Sequence, residues 1–148
     1  DDGYDFRLAV CGENFRQVPE EFAEAGKRLT ERLVHFGFAP TDVYLSLLRS
    51  ADLVVSTALH EFFGIAIVEA AYAGAMPILP NRLSYPEIMP PGIHDRVLYG
   101  EGELLATIRR ELTGTERSMV VDRARESVAR FDWSAQVGRY DDLLMSIL

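Results

Sequence analysis

Short apolar runs and amphipathic stretches alternate along the whole chain, and this alternation predicts an α/β layer fold. Phe6 to Cys11 reads as a buried strand followed by Gly12. From Pro19 to Leu33, the residues Phe22, Ala25, Leu29 and Leu33 recur at helical spacing, and Pro19 suits a first helical turn. Val34 to Phe36 forms a second short strand, ended by Gly37 and then Pro40, and Thr41 is placed to cap a helix carrying Val43, Tyr44, Leu47 and Leu48. Leu53 to Ser56 makes the third strand and Phe63 to Ala73 the next helix, with Gly74 in the position of a left-handed C-terminal residue. Ala75 to Leu79 is the fourth strand. Beyond a proline-rich loop from Pro80 to Asp95, Val97 to Tyr99 reads as an edge strand, and Glu103 to Leu148 as helices broken near Gly114 and at Phe131 to Trp133. Apolar runs that do not alternate, separated by helices, predict a Rossmann-like parallel sheet with helices on both faces. Sites in such folds open at the C-terminal ends of the strands.

Composition narrows the class. The 148 residues are 48% hydrophobic and 26% charged, enough for one globular domain with a core. The formal net charge of −8 is opposite in sign to that of a nonspecific nucleic-acid binder, whose affinity comes from neutralising phosphates. One cysteine, Cys11, forms no internal disulfide, and three histidines are too few for a Cys/His metal cluster, so a cytoplasmic protein without a metal site is expected. No apolar run reaches the length of a bilayer span.

Several chemistries fall away on spacing. His60-Glu61 opens like a zinc-protease helix motif, but Gly64 stands where the second histidine belongs. Gly100 and Gly102 imitate a dinucleotide fingerprint whose third glycine is replaced by Leu105. The only lysine is Lys27, so no phosphate loop ending in Gly-Lys-Ser/Thr exists. No two aspartates flank a single residue, the arrangement that often holds a divalent ion on a diphosphate.

The segment from Thr57 to Ala70 carries the positive case. A strand ends just before it and a helix begins inside it, so the helix start belongs at the sheet edge where α/β sites form. First-turn amides are unpaired and carry partial positive charge, and a short polar residue normally caps them. Phe62 occupies that neighbourhood instead, and Gly64 in the first turn would let a ligand approach the backbone closely. Such a start can seat a diphosphate. Glu69, between Val68 and Ala70, reads as a buried carboxylate that needs a partner, for which the two vicinal hydroxyls of a ribose are suited. Glu61 can similarly grip hydroxyls of a sugar beyond the diphosphate. The structural alternative makes Glu61 a partner of the helix dipole and Glu69 a core carboxylate bonded to backbone.

Glu61, seven residues and Glu69, with Phe63-Gly64 between them and Gly74 and Pro77 following, resemble the donor motif of the retaining glycosyltransferases of family 4. Ser50-Ala51-Asp52, His60 to Gly64 and Tyr85-Pro86-Glu87-Ile88 are similar to a narrower branch, the tRNA-queuosine α-mannosyltransferases and their bacterial relatives. The resemblance covers residues 6–90. It implies the C-terminal half of the two-domain GT-B fold, binding a nucleotide-diphosphate sugar as co-substrate with no metal and no other cofactor. Glu69 would accept the ribose hydroxyls, the backbone of Phe63, Gly64 and Ile65 would hold the diphosphate, and Glu61 would act at the donor sugar as the catalytic-site carboxylate. Phe38, after the second strand, would lie where the base is received. GDP-mannose is the implied donor, and queuosine in tRNA the implied acceptor.

The departures are equally specific. Family members carry an arginine and a lysine after the first strand of this domain, and no such pair occurs here. The expectation is therefore a fragment that lacks the N-terminal acceptor domain together with the first strand and helix of the donor domain. Arg7, Arg16 and Arg82 are the nearest basic candidates. Tyr85-Pro86-Glu87 faces the donor or acceptor in one reading and forms a rigid turn in the other. Arginines from Arg109 to Arg139 interleave with Glu111, Glu116, Asp122, Glu126 and Asp132, which predicts an ion-paired helical surface rather than a tRNA patch. A non-catalytic nucleotide-binding module, a structural α/β interaction domain and a transferase acting on a lipid or glycan stay open as alternatives.

Overall fold

The computed structural model describes residues 3–12 and 20–147, which form parts of two compact units, Asp1–Ser50 and Ala51–Leu148. Arg16 and Pro19 lie outside the described residues.

In the first unit, β1 (Leu8–Cys11) pairs in parallel with β2 (Leu33–Gly37), flanked in sequence by α1 (Glu20–Arg28) and α2 (Thr41–Ser50). α1 suits its macrodipole, with Glu20 and Glu21 in the first turn and Lys27 and Arg28 in the last. It ends earlier than its apolar spacing predicts. The Thr30 hydroxyl donates to the carbonyls of Gly26 and Lys27, competing with helix continuation, and Leu33, expected as the last helical position, opens β2 instead. Arg7 precedes β1 rather than lying in it. Thr41 is the first residue of α2, whose opening bond runs from the Tyr44 amide to the Pro40 carbonyl. Gly37 is the only buried residue among those described in this unit.

The second unit holds the core. β3 (Leu53–Val55), β4 (Met76–Pro80) and β5 (Leu98–Tyr99) form a parallel sheet in that order, with Leu53 opposite Met76 and Leu79 opposite Leu98. β4 is central and wholly buried, as its unbroken apolar sequence predicts. Pro77 is tolerated there because Met76 and Ile78 bond toward β3, leaving Pro77 to face the β5 side, where pairing begins only at Leu79. α3 (Ile65–Ala73) and α7 (Ser118–Ala129) pack together, α7 through the i, i+4 stripe of Val120, Ala124 and Val128. Gly74 closes α3 in the left-handed conformation, its amide donating to the Ala70 and Ala71 carbonyls.

The segment expected to be a loop from Pro80 to Asp95 supplies much of this core. It folds as α4 (Tyr85–Ile88), a 3-10 turn over Pro91–Ile93 and α5 (His94–Val97), burying Tyr85, Ile88, Met89, Ile93 and Val97. Pro86 and Pro91 sit in first turns, where a missing amide is harmless. α6 (Leu104–Thr113) buries Thr107 and Glu111, and α8 (Trp133–Ile147), opened by Asp132 accepting the Ser134 amide at 2.8 Å, has no buried residue. No helix of the described residues is long and apolar enough to cross a membrane.

Of the interleaved charges in the tail, Arg110 and Glu111 pair, and they do so at a buried centre. Glu111, with a fully buried side chain, accepts from Arg96 at 3.0 and 3.2 Å and from Arg110 at 2.8 Å. Burial pushes its carboxyl up, but the hydrogen bonds from both guanidinium groups outweigh that and hold it below the usual glutamate value.

Candidate functional site

β3 delivers the chain to the C-terminal edge of the three-stranded sheet, where a turn from Ser56 to Gly64 leads into α3. The turn is pinned by side chains from the same edge. Ser56 is buried, and its amide extends the ladder to the Ile78 carbonyl at 3.0 Å. The Ser56 Oγ shares a 2.8 Å hydrogen bond with the Tyr85 hydroxyl and accepts the Ala58 amide at 3.2 Å, while the Tyr99 hydroxyl donates to the Ser56 carbonyl at 2.8 Å. Desolvation pushes the Tyr99 phenol up, and nearby Arg82 partly offsets it. The Arg82 Nε and Nη2 both donate to the Ala58 carbonyl, at 3.2 and 3.1 Å, and the Ser84 Oγ donates to the Phe63 carbonyl at 2.9 Å.

α3 starts two residues later than its apolar run predicts, and Gly64 is its N-cap residue rather than a member of the first turn. The reason for the glycine changes accordingly. Its φ of 92° and ψ of 43° lie in the left-handed region, and a Cβ there would stand 3.1 Å from Tyr85 Cε1 and 3.6 Å from Ile88 Cδ1. The fold therefore demands glycine whether or not a ligand approaches. The absence of a polar cap holds: no side chain bonds the start of α3, and its first turn carries no acidic residue. The Gly64 carbonyl accepts the Ile67 and Val68 amides, both at 3.0 Å, leaving the earlier amides uncapped.

Glu61 is exposed, its Oε1 accepts the Phe62 amide at 3.0 Å, and its Cγ lies 3.8 Å from where a Gly64 Cβ would stand. Glu69 corrects the expectation of a buried carboxylate, because it is exposed. α3 is almost wholly apolar in sequence, yet it buries only Ile67, Ala70 and Ala71 and turns Ile65, Ala66, Glu69 and Tyr72 outward. Helical rise sets Glu69 about 7.5 Å along the axis from Gly64. Phe63 and Ile65 are exposed at the helix start, whereas Phe38 follows β2 in the other unit, also exposed.

Tyr85-Pro86-Glu87 forms the first turn of α4, in which Tyr85 faces the core and Glu87 is exposed. Sequence reasoning missed the clasp that fixes this turn from the helical tail. The Phe63 ring stands edge-on to Phe131 at 4.9 Å. The Arg130 guanidinium lies 4.7 Å over Phe131 and donates to the Glu87 carbonyl at 2.6 Å, and the Ser127 Oγ donates to Ile88 O at 2.8 Å. These bonds end on backbone, so only the break at Phe131 to Trp133 marked the region in sequence. His60 is exposed, while His35 and His94 bond the carbonyls of Gly37 and Met89. Among the described residues, no three His, Cys, Asp or Glu side chains gather to hold a metal. The groove bordered by Asp52, Gly74, Arg117 and Asp122 lies at the opposite strand edge.

Uncapped backbone amides beside a carboxylate, with a second carboxylate about a turn further along the same helix, can receive an anionic group and hydroxyl groups together. Comparison with known proteins bears on that chemistry. The chain is 49% identical over 86 residues to the tRNA-queuosine alpha-mannosyltransferase of Drosophila melanogaster, covering 58% of the chain and 23% of that protein. It is 29% identical over 153 aligned positions to the GDP-mannose:cellobiosyl-diphosphopolyprenol alpha-mannosyltransferase of Xanthomonas campestris, covering 93% of the chain and 38% of that protein. The chain thus spans well under half the length of either relative. Among solved structures, it is similar to the catalytic domain of cholesterol-alpha-glucosyltransferase from Helicobacter pylori, with a TM-score of 0.66 and 18% identity over 85% of the chain and 98% of that domain. It is also similar to AviGT4, a glycosyltransferase involved in avilamycin A biosynthesis, with a TM-score of 0.57 and 24% identity over 94% of the chain and 44% of that protein. These likenesses bear on the fold, which is the expected α/β arrangement of parallel sheets with helices. The family model for glycosyl transferases group 1 matches residues 1–125, and the chain belongs to that family.

Proposed function

We propose that the chain is the donor-binding part of a hexosyltransferase whose co-substrate is GDP-mannose and whose acceptor is chosen by a further domain of the whole protein. The observation that carries the reading is the uncapped start of α3 at the C-terminal strand edge, with Glu61 folded against Gly64 and Glu69 exposed on the same helix. The amides around Phe63, Gly64 and Ile65 receive the diphosphate, where the helix dipole favours the negative charge that grows as the glycosidic bond breaks. Glu69 accepts the ribose hydroxyls, and Glu61 orients the donor sugar. Exposure of Glu69 supports this role better than burial would, since a ligand reaches it without displacing core. No metal or other cofactor takes part.

Mannose and GDP are favoured because two relatives are named alpha-mannosyltransferases and one is named for GDP-mannose. An α-product from an α-linked donor means retention. The net charge of −8 offers tRNA little attraction, so a tRNA acceptor requires basic surface elsewhere in the whole protein.

Calorimetry with GDP tests the site. Wild type binds, and Glu69→Ala weakens binding by about 1–3 kcal/mol through loss of charged hydrogen bonds; an unchanged dissociation constant refutes the assignment. Product analysis of the whole protein tests the reaction. A β-mannosyl product refutes retention, and transfer only from UDP-sugars refutes the donor.

A further inference from the structure

Both ends of the turn that carries the helix start are referenced to one buried side chain, Tyr85. At one end, its hydroxyl is 2.8 Å from the Ser56 Oγ, which in turn accepts the Ala58 amide at 3.2 Å. At the other, its ring edge lies against Gly64, with Cε1 only 3.1 Å from the position of an added Cβ. The residue before it, Ser84, holds the Phe63 carbonyl. Tyr85 is 1% exposed, so it touches no ligand at this edge. The core packing of Ile88, Met89 and Ile93 fixes the ring, and a second buried phenol, Tyr99, holds the Ser56 carbonyl.

We infer that Tyr85 is a positioning residue of the donor site: through Ser56 it sets where the turn from Thr57 to Phe63 runs, and through Gly64 it sets the start of α3. The inference rests on the donor-site reading above and adds to it the residue that holds the binding backbone in place. A hydroxyl is needed for this, because a phenyl ring of the same shape fills the core and backs Gly64 but leaves the buried Ser56 Oγ without its tyrosine partner. The Ala58 amide would then be held by a serine free to rotate.

Tyr85→Phe, Ser56→Ala and the double variant are compared by amide hydrogen exchange and by calorimetry with GDP, both well below the unfolding temperature. In Tyr85→Phe, the Ala58 amide, which donates to the Ser56 Oγ, exchanges several-fold faster while β4 amides keep their protection, and GDP binds about five-fold more weakly, equivalent to about 1 kcal/mol. Ser56→Ala loses at least as much, since it removes the acceptor of the Ala58 amide as well as the bond to Tyr85. The double variant loses no more than Ser56→Ala alone, because Ser56→Ala already removes the bond that Tyr85→Phe removes. Unchanged turn exchange overturns the inference, and so does faster exchange with unchanged GDP affinity, the pattern of a merely structural bond. If GDP fails to bind the wild type, or if Glu69→Ala has no effect, the donor-site reading falls, and the exchange arm alone decides whether Tyr85 tethers the turn. If Tyr85→Phe does not fold, Ser56→Ala still overturns the inference by leaving either turn exchange or GDP affinity unchanged, since the tether runs through the Ser56 Oγ.

Discussion

Replacing Gly64 by alanine separates two demands that the start of α3 makes on its glycine, and Gly74 provides the control within the same unit. Both residues are left-handed, with φ of 92° at Gly64 and 107° at Gly74. A left-handed alanine costs about 1–2 kcal/mol at either position. They differ in space: nothing lies within 4 Å of a Cβ at Gly74, whereas one at Gly64 meets Tyr85 Cε1 at 3.1 Å. The Tyr85 ring cannot swing aside freely, because it is buried and bonded to Ser56. Overpacking of this kind costs about 1–3 kcal/mol, and a misfit of a few tenths of an ångström belongs at the lower end. Gly74→Ala should therefore lose about 1–2 kcal/mol, and Gly64→Ala about 2–4 kcal/mol, in urea unfolding followed by far-ultraviolet circular dichroism. Only Gly64→Ala should also weaken GDP binding, since it alone disturbs the turn. If Gly64→Ala costs no more than Gly74→Ala, the contact with Tyr85 is not a constraint. Losses below about 0.5 kcal/mol in both would refute the backbone argument.

Glu111→Gln should destabilise the second unit by about 1–3 kcal/mol at neutral pH in the same urea assay, because Arg96 and Arg110 lose their shared charged acceptor. In wild type, the Glu111 carboxyl lies below its unfolded value, so its contribution is fully present above about pH 4.3 and is lost as pH falls through the folded value. The variant should lack that part of the acid destabilisation; equal acid sensitivity would show that Glu111 is not its source. Residues 1–148 alone should transfer no sugar from GDP-mannose, since transfer requires groups converging on donor and acceptor from both sides of a cleft. Measurable transfer by this chain would refute that requirement.

The order of elements was legible in the sequence because it depends on local patterning. Apolar runs of strand length alternate with helical spacing, and Gly74 and Gly114 fall just past helix ends. The lack of a polar cap was legible for the same reason, as Phe62, Phe63 and Gly64 offer no capping side chain, although the N-cap position itself falls on Gly64 rather than near Phe62. The two glutamates and their spacing carried the family, because a resemblance needs residue types and intervals but no coordinates.

What failed in the sequence reading depends on which side of an element meets the core. Glu69 sits in a helix so apolar that its pattern has no outward face, and only the packing of Ile67, Ala70 and Ala71 against the rest of the unit turns it outward. The segment from Pro80 to Asp95 was misread because prolines signal loops locally, while the burial of Tyr85, Ile88 and Ile93 comes from contacts with distant α3 and α7. The bonds that hold the site turn join Ser56 to Tyr85 and to Tyr99, partners 29 and 43 residues apart. Neither strand nor helix periodicity relates residues at such separations. Local sequence thus determined the elements and the residue types at the candidate site, while long-range packing decided the exposure of its carboxylate, the reason for its glycine and the side chain that anchors its backbone.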